Sequence, residues 1–380
     1  MDNVSILLKN ECCGCSACYS VCPTHAIEMS ADGEGFLYPK INENKCISCG
    51  LCLKTCNQDT KFLNDQKVYA IRCLDKQLRA NSSSGGVFSL LAYDILAADG
   101  VICGVAFDED MKGCHHEVIF SSDELEKLRR SKFVQSDKGS IYPKIKELLE
   151  EGTQVLFCGT PCEVHGIRSY LKKQYDNLLT CDLICGCVSS PMVYKKYIEY
   201  MNTKYASRAV KINFKDKRAG WREKGISIIF ENGVEYYDSI LNDDYIVSFH
   251  SRYNIRPSCF NCKQRSVKRS SDITLGDFWG IENYNQRIDD NKGLSIVLAN
   301  TQKGEQAIKR LSDAEIIPME LDVEDYASKY NWCLHKNPTD MPREDRRHFY
   351  EDVMLMDFGE MAKKDLALIK EERKKRKMKK

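Results

Sequence analysis

The chain has 380 residues, a net charge of +1, 43% hydrophobic and 29% charged residues, and 20 cysteines. That length suits two or three domains with a sizeable core, and the near-neutral charge excludes a general polyanion binder. No apolar run reaches the roughly 18 residues of a membrane span, and the start MDNVSILLKNECCGC has no basic stretch leading into an apolar one; neither a transmembrane segment nor a secretory signal is expected.

The first element is a pair of cysteine runs. Cys12, Cys15, Cys18 and Cys22 are spaced C-x2-C-x2-C-x3-C with Pro23 behind them, and Cys46, Cys49, Cys52 and Cys56 repeat the spacing with Asn57 in place of proline. Two such runs are the signature of a two-cluster 4Fe-4S ferredoxin. Three thiolates two residues apart wrap one face of a cubane, while the fourth points away and ligates the other cluster. The spacing therefore assigns Cys12, Cys15, Cys18 and Cys56 to one cluster, and Cys46, Cys49, Cys52 and Cys22 to the second. Cys13 is left over as a packed or idle thiol. AIEMS and GFLYPKIN read as short strands around the turn at Ala31–Gly35, completing an α+β ferredoxin-like module over residues 1–62. The alternative is a pair of zinc knuckles, but zinc sites take four ligands in two pairs rather than this cross-over pattern. Clustered CxxC pairs in a chain of this size point to a reducing, cytoplasmic compartment.

After residue 62 strands alternate with helices, the pattern of an α/β domain. QKVYAIRCL, GVICGVAFD, TQVLFCG and NLLTCDLIC read as strands. VFSLLAYDILAADG has apolar residues at Val87, Leu90, Leu91, Ile95 and Leu96, the period of a helix. SIYPKIKELLEEG ends a helix at Gly152, and TPCEVHGIRSYLKKQY opens one at Thr160 and Pro161. SPMVYKKYIEYMNTKY is a further helix. KINFKDK and GISIIFENGVEYYDS, with Asn232-Gly233 at the tip, predict an antiparallel β insertion. LSIVLANTQKGEQAIKRL adds one more strand and helix. The regions are drawn at 63–150, 151–325 and a helical extension over 326–380 that ends in a basic run.

Two loops have the chemistry of an anion site. Ser82-Ser83-Ser84-Gly85-Gly86 precedes a helix, and Cys158-Gly159-Thr160-Pro161-Cys162 joins a strand to one; free backbone N–H groups and hydroxyls there suit a phosphate or flavin, although most such loops are only turns. A second cysteine group comprises Cys158, Cys162, Cys181, Cys185, Cys187, Cys259 and Cys262, with Cys259-Phe260-Asn261-Cys262 its strongest pair. A third cluster is not derivable from that spacing. Cys73, Cys103, Cys114 and Cys333 stand alone and read as small buried hydrophobes.

The motifs SSSGGVFS (82–89), RRSKFVQSD (129–137), VLFCGTPCEVHGIR (155–168), DLICGCVSSP (182–191), Gly220-Trp221, CFNCKQR (259–265) and DITLGDFWGI (272–281) together resemble the coenzyme F420 hydrogenase/dehydrogenase beta-subunit family over nearly the whole chain. The resemblance implies an iron-sulfur flavoprotein. It places FAD against Ser83, Ser84, Gly85, Gly86, Lys132, Ser136, Gly159 and Thr160, and makes Cys162, Cys185, Cys259 and Cys262 the ligands of a third 4Fe-4S cluster. Related members often read C-H-G where this chain has Cys185-Gly186-Cys187, which leaves Cys187 as an alternative ligand to Cys185. His115, His116 and His165 are candidate proton donors set against ordinary packing roles. Lys132 is a candidate for a flavin phosphate or ring carbonyl, against a solvated surface lysine. The function expected is an oxidoreductase passing electrons between clusters and FAD to reduce or oxidise a small-molecule acceptor, with a ferredoxin or other redox protein as donor. The alternative is an electron-transfer subunit serving a partner enzyme; a non-redox iron-sulfur or zinc module is the third reading. The basic tail (363–380) reads as a solvated end, with no specific nucleic-acid role.

Overall fold

The computed structural model describes residues 3–56, 66–335, 343–367, 369–371 and 375. The junction expected at residue 62 and most of the basic run over 372–380 lie outside them.

The N-terminal module is built from one antiparallel pair, β1 (Ile27–Ala31) and β2 (Leu37–Ile41), and two short helices, Ala17–Val21 and Leu51–Cys56. Each helix begins just after the second cysteine of its run and carries the third, Cys18 or Cys52, and the two pack against each other. The module's small core joins Val4 and Ile27 to Cys18 and Cys52.

The remainder is organised on one mixed sheet. Its strands are β3 (Lys67–Cys73), β4 (Val101–Phe107), β5 (Cys114–Ile119), β6 (Val155–Gly159) and β7 (Leu178–Leu183). A separate antiparallel sheet contains β8 (Ala209–Asp216), β9 (Gly225–Phe230) and β10 (Glu235–Ser239), the insertion expected around Asn232-Gly233. The main sheet is completed by β11 (Ile273–Asp277), β12 (Ser295–Ala299) and β13 (Ala314–Met319), in the order β13-β3-β12-β11-β7-β6-β4-β5. The block β4, β6, β7 and β11 is parallel, with antiparallel strands on either side. Strands from 63–150 and 151–325 thus share one sheet, and residue 150 falls just before β6. Sequence periodicity missed β5, β11 and β13: β5 interleaves histidines with apolar residues, β11 is interrupted by Gly276, and β13 is a half-exposed edge carrying Pro318.

The helix Val87–Leu96 buries Val87, Leu90, Leu91 and Ile95 against the sheet, each contributing about 1.5–3 kcal/mol relative to exposure. The helix Pro161–Leu171 starts where its sequence demands. Pro161 occupies the first turn, and Thr160 and Glu163 form a capping box that satisfies its leading N–H groups. Chain segments leaving the parallel strands, at Gly159, Leu183 and Asp277, emerge on the same edge of the sheet, where ligand sites of α/β sheets form.

The module is seated on this domain. Ala17 and Cys15 pack with Val164, Ile167 and Tyr142, and a Cβ at Gly166 would lie 2.9 Å from Cβ of Cys15. Among the described residues no helix is long and apolar enough to cross a membrane.

Candidate redox centres

The two cysteine runs share a backbone device. Gly14 and Ser16 flank Cys15 with φ of +68° and +64°, and Ser48 and Gly50 flank Cys49 with φ of +54° and +68°. Alternating left-handed residues turn successive N–H groups inward, a nest that suits an anionic iron-thiolate group. Cys22, Cys46, Cys49 and Cys52 line one cavity with Pro23, Ala26 and Ile41. The Ala26 N–H reaches the Cys22 sulfur at 3.3 Å. Burial would raise the Cys22 thiol, but the N–H groups of Ala26 and Thr24 outweigh it and hold it below the usual range. Cys18 is raised by burial, then by the negative charges of Cys12 and Cys56 beside it. Cys56 is raised by burial and Cys12, with Lys263 opposing them.

A second, larger cavity opens between the module and the α/β domain. Cys15 and Cys56 line it from the module side, and Cys162, Cys185, Cys259 and Cys262 from the domain side. Cys162 stands in the first turn of the capped helix, Cys185 just beyond β7, and Cys259 and Cys262 on the 3-10 turn Pro257–Asn261 and its cap. A buried ion pair fixes the strand end: Arg269 binds Asp182 at 3.0 Å and donates to the Leu183 carbonyl at 3.0 Å. Arg265 donates to the Gly186 carbonyl and holds the next loop.

The electrostatics of these thiols fit an iron centre. Burial lifts Cys185 well above its ordinary value, and Cys259, Cys162 and Cys262 lift it further. Burial and Cys262 push Cys259 up to about 12. Cys162 is raised by its hydrogen bond with Cys13, then by burial. Such a set stays ionised only with a cation to bind, which is what iron supplies. Cys187 is raised by burial, Cys259, Cys185 and Cys333, and points its electrostatic contacts toward Cys333 and Arg265. Among the described residues no three Cys, His, Asp or Glu donors close on a single-ion position.

Two thiols take unexpected places. Cys13 is no isolated packing thiol: it hydrogen-bonds Cys15 and Cys162, between the module and the domain. Cys333, expected as a buried hydrophobe, lines the larger cavity, its sulfur 3.4 Å from where a Cβ on Gly186 would lie. Nothing in local spacing marked it, since its neighbours come from distant parts of the chain. Cys73, Cys103 and Cys114 are buried as expected.

The residues expected around a flavin fall into two groups. In the first, the Ser83 Oγ accepts from the Ser131 N–H at 2.9 Å, the Ser84 Oγ donates to the Leu294 carbonyl at 2.9 Å, and the Gly85 N–H donates to the Ser295 Oγ at 3.0 Å. Gly86 caps the following helix. Lys132 follows Ser131; its ammonium donates to the Lys127 and Arg129 carbonyls at 2.9 and 2.8 Å and lies 5.6 Å from the Phe107 ring. In the second, the Thr160 N–H donates to Glu163 at 2.7 Å, a Cβ on Gly159 would lie 3.0 Å from the same carboxylate, and the Ser136 Oγ donates to it at 3.0 Å. Burial would raise Glu163, but Lys138 at 2.8 Å and His116 hold it at about 2. His116 is depressed to about 4 by burial and stays neutral at pH 7. The Ser136 hydroxyl is therefore committed to an internal network, whereas His115 lies half-exposed, 2.7 Å from Asp108.

Sequence reasoning picked out Lys132 but missed a second cation beside the first group. Lys217 donates to the carbonyls of Arg79, Ser84 and Lys292 at 2.8, 2.8 and 2.9 Å. Burial, then Arg79, depress it to about 7, and burial depresses Lys132 to about 8. Among the described residues neither lysine forms an ion pair. Beyond them, Lys215 and Lys224 share Asp277 at 2.9 and 3.0 Å, beside the stacked rings of Trp221 and Trp279. In the sequence this cluster was signalled by Gly220-Trp221 and by the DITLGDFWGI motif, which carries Asp277 and Trp279.

Comparison with known proteins decides the kinship. Residues 152–324 match the family described as the C terminus of the coenzyme F420 hydrogenase/dehydrogenase beta subunit, and residues 11–60 match the 4Fe-4S dicluster domain. The chain joins a 4Fe-4S dicluster domain to an F420 hydrogenase/dehydrogenase beta-subunit domain. It is 21% identical to a subunit of the F(420)H(2) dehydrogenase of Methanosarcina mazei over 294 residues, covering 74% of this chain and 79% of that one. The dicluster domain alone is 36% identical over 59 residues to a subunit of the NADH-quinone oxidoreductase of Pelobacter propionicus, covering 13% of this chain and 32% of that protein. It is 36% identical over 72 residues to an uncharacterized ferredoxin of Methanocaldococcus jannaschii, covering 19% and 40%. A chain from the F420-reducing [NiFe] hydrogenase complex of Methanosarcina barkeri superposes with a TM-score of 0.47 at 16% identity, over 78% of this chain and 94% of that one. The dicluster match supports 4Fe-4S chemistry in residues 11–60, and two of the relatives are subunits of oxidoreductases.

Proposed function

We propose that this chain is an iron-sulfur flavoprotein that exchanges electrons between 4Fe-4S clusters and FAD and works on a small-molecule acceptor. The observation that carries it is the cavity between module and domain, which draws Cys15 and Cys56 from one side and Cys162, Cys185, Cys259 and Cys262 from the other. Cys12, Cys15, Cys18 and Cys56 hold an inner cluster, and Cys22, Cys46, Cys49 and Cys52 an outer one. Cys162, Cys185, Cys259 and Cys262 hold a third. When bound, clusters supply single-electron steps and a flavin supplies the change to two-electron chemistry.

For the flavin, the support is charge. Lys132 and Lys217 sit partly buried around the Ser83–Gly86 loop with carbonyls as their hydrogen-bond acceptors. Each gains from an anion such as a dinucleotide diphosphate, which supplies the missing countercharge. Ser136, bound to Glu163, instead stiffens the turn that carries Gly159 and Thr160. The acceptor class includes the deazaflavin after which the relatives are named, and the electron donor is a ferredoxin or comparable redox protein. The many unpaired thiols suit a reducing cytoplasm.

Anaerobic purification with iron, acid-labile sulfide and flavin measured on one sample tests this. About twelve irons and one FAD support it, whereas about eight irons without flavin after FAD reconstitution sink both the third cluster and the flavin. The second reading, an electron-transfer subunit with no substrate of its own, draws on the names of the relatives, which are subunits of larger enzymes. Its mark is reversible cluster reduction with no turnover until a partner protein is added.

A further inference from the structure

Arg256 is one of the largest fully buried side chains in the protein, with 0% of its surface exposed. It reaches from the turn before Cys259 into the N-terminal module. Its Nε donates to the Cys12 carbonyl at 2.8 Å, and its terminal nitrogens donate to Gln135 at 2.8 Å and to the Leu37 carbonyl at 2.9 Å. One of them also lies 3.7 Å from the Cys12 sulfur, and the guanidinium lies 4.2 Å from the Tyr38 ring. Among the described residues no carboxylate pairs with it. A fully buried cation without a counter-ion costs several kcal/mol, so its partner is to be sought in what the module binds. The sulfur it points at is the first ligand of the inner cluster, and an iron-thiolate centre carries the negative charge that the protein itself withholds.

We propose that Arg256 is the built-in counter-ion of the inner cluster and makes it the electron sink of the module. The proposal rests on the reading that Cys12, Cys15, Cys18 and Cys56 hold that cluster. Reduction adds negative charge, and a fixed cation hydrogen-bonded toward a ligand sulfur stabilises the reduced form. Lys263, which bears on Cys56, adds to the same end. Among the described residues, the cavity lined by Cys22, Cys46, Cys49 and Cys52 includes no Arg or Lys among its lining residues. Its Cys49 is the exposed member of the eight, while Cys15 and Cys56 of the inner set line the cavity toward the domain. Charge placement therefore biases an electron arriving at the exposed outer centre toward the inner one, and so toward the cavity lined by Cys162 and Cys259.

The test is a redox titration of the full holoprotein followed by electron paramagnetic resonance, with the outer signal assigned by its change in Cys49→Ser. In the wild type the inner centre reduces first; outer-first reduction overturns the proposal outright. In Arg256→Gln the reduced fraction of the inner centre at fixed potential falls at least tenfold relative to oxidised, about 59 mV for one electron, while the outer centre holds its position. Arg256→Lys, which keeps the charge, recovers most of that change. Lys263→Gln, at an exposed position, moves the inner centre the same way by a smaller factor and stands as the test where Arg256→Gln does not fold. Equal shifts of both centres, or none in either variant, defeat the assignment. Iron well below eight per wild-type chain would instead defeat the cluster reading on which it rests.

Discussion

The two cysteine-bearing regions solve the same chemical problem by opposite means. In the N-terminal module nine cysteines lie within 45 residues, eight of them in the two runs, and paired left-handed residues around Cys15 and Cys49 repeat the same local turn. In the α/β domain one thiol comes from a helix start, one from a strand end and a pair from a 3-10 turn, brought together by a sheet whose strands run from Lys67 to Met319. The module's site is thus a property of short segments, while the domain's site is a property of the completed fold. A local site is lost with its loop, whereas a site assembled by tertiary structure is removable without disturbing the scaffold.

That contrast sets the largest expected effect. Cys259→Ala removes a ligand of the proposed third centre, so about four irons of about twelve are lost while the module's signals and the chain's folding persist. Iron, sulfide and circular dichroism on one anaerobic sample check it. Loss of all iron would mean that the domain's thiols support the module's clusters, and the two regions would no longer be separable.

The converse substitution tests the local site. Gly14 has φ +68°, and a Cβ there would lie 2.7 Å from the Gln135 amide and 2.9 Å from the Arg256 guanidinium. Left-handed strain of about 1–2 kcal/mol adds to overpacking of about 1–3 kcal/mol. Gly14→Ala is accordingly expected to destabilise the module and its seat on the domain by about 2–5 kcal/mol, read from the urea midpoint. Gly33→Ala in the same module, where nothing lies within 4 Å, serves as the control and shifts it by no more than about 0.5 kcal/mol.

A smaller effect is expected at the loop around Ser83–Gly86. Lys217 is depressed to about 7 by burial and then by Arg79. In the flavin-free chain its folded value lies below its unfolded one, so the unfolded chain binds the extra proton between about pH 7 and its ordinary range. Stability from this group therefore rises with pH across that window. A bound diphosphate reverses the preference by stabilising the ammonium. FAD affinity should fall as pH rises above about 7, and Lys217→Met should weaken it about tenfold and flatten that slope, measured by flavin fluorescence. An unchanged slope would remove Lys217 from the flavin site.

What was legible in the sequence follows the same division. The two runs at Cys12–Cys22 and Cys46–Cys56 declared their chemistry because their geometry is local, and the helix start at Thr160-Pro161 and the alternating strands declared the α/β architecture for the same reason. Strands β5, β11 and β13 escaped because their burial is set by neighbours rather than by their own pattern. Cys333, Lys217 and Arg256 escaped because each acts on residues far from it along the chain. For Ser136 the motif located the residue, but its hydroxyl serves Glu163, a partnership that no spacing announces.

The finest distinction concerns the choice between Cys185 and Cys187, which the sequence left open. Both line the larger cavity, and the Cys185 sulfur lies 3.8 Å from the Cys187 carbonyl. Their surroundings differ. Cys185 feels Cys259, Cys162 and Cys262 together, the other three thiols of the proposed set, whereas Cys187 feels Cys259, Cys185, Cys333 and Arg265. A four-ligand centre requires each thiol to face the same point, and only Cys185 shares its environment with both Cys162 and Cys262. Cys185→Ser is therefore expected to cost about four irons, and Cys187→Ser none. Should Cys187→Ser lose iron and Cys185→Ser retain it, the ligand moves by two residues and the centre shifts toward Cys333, on the Arg265 side of the cavity.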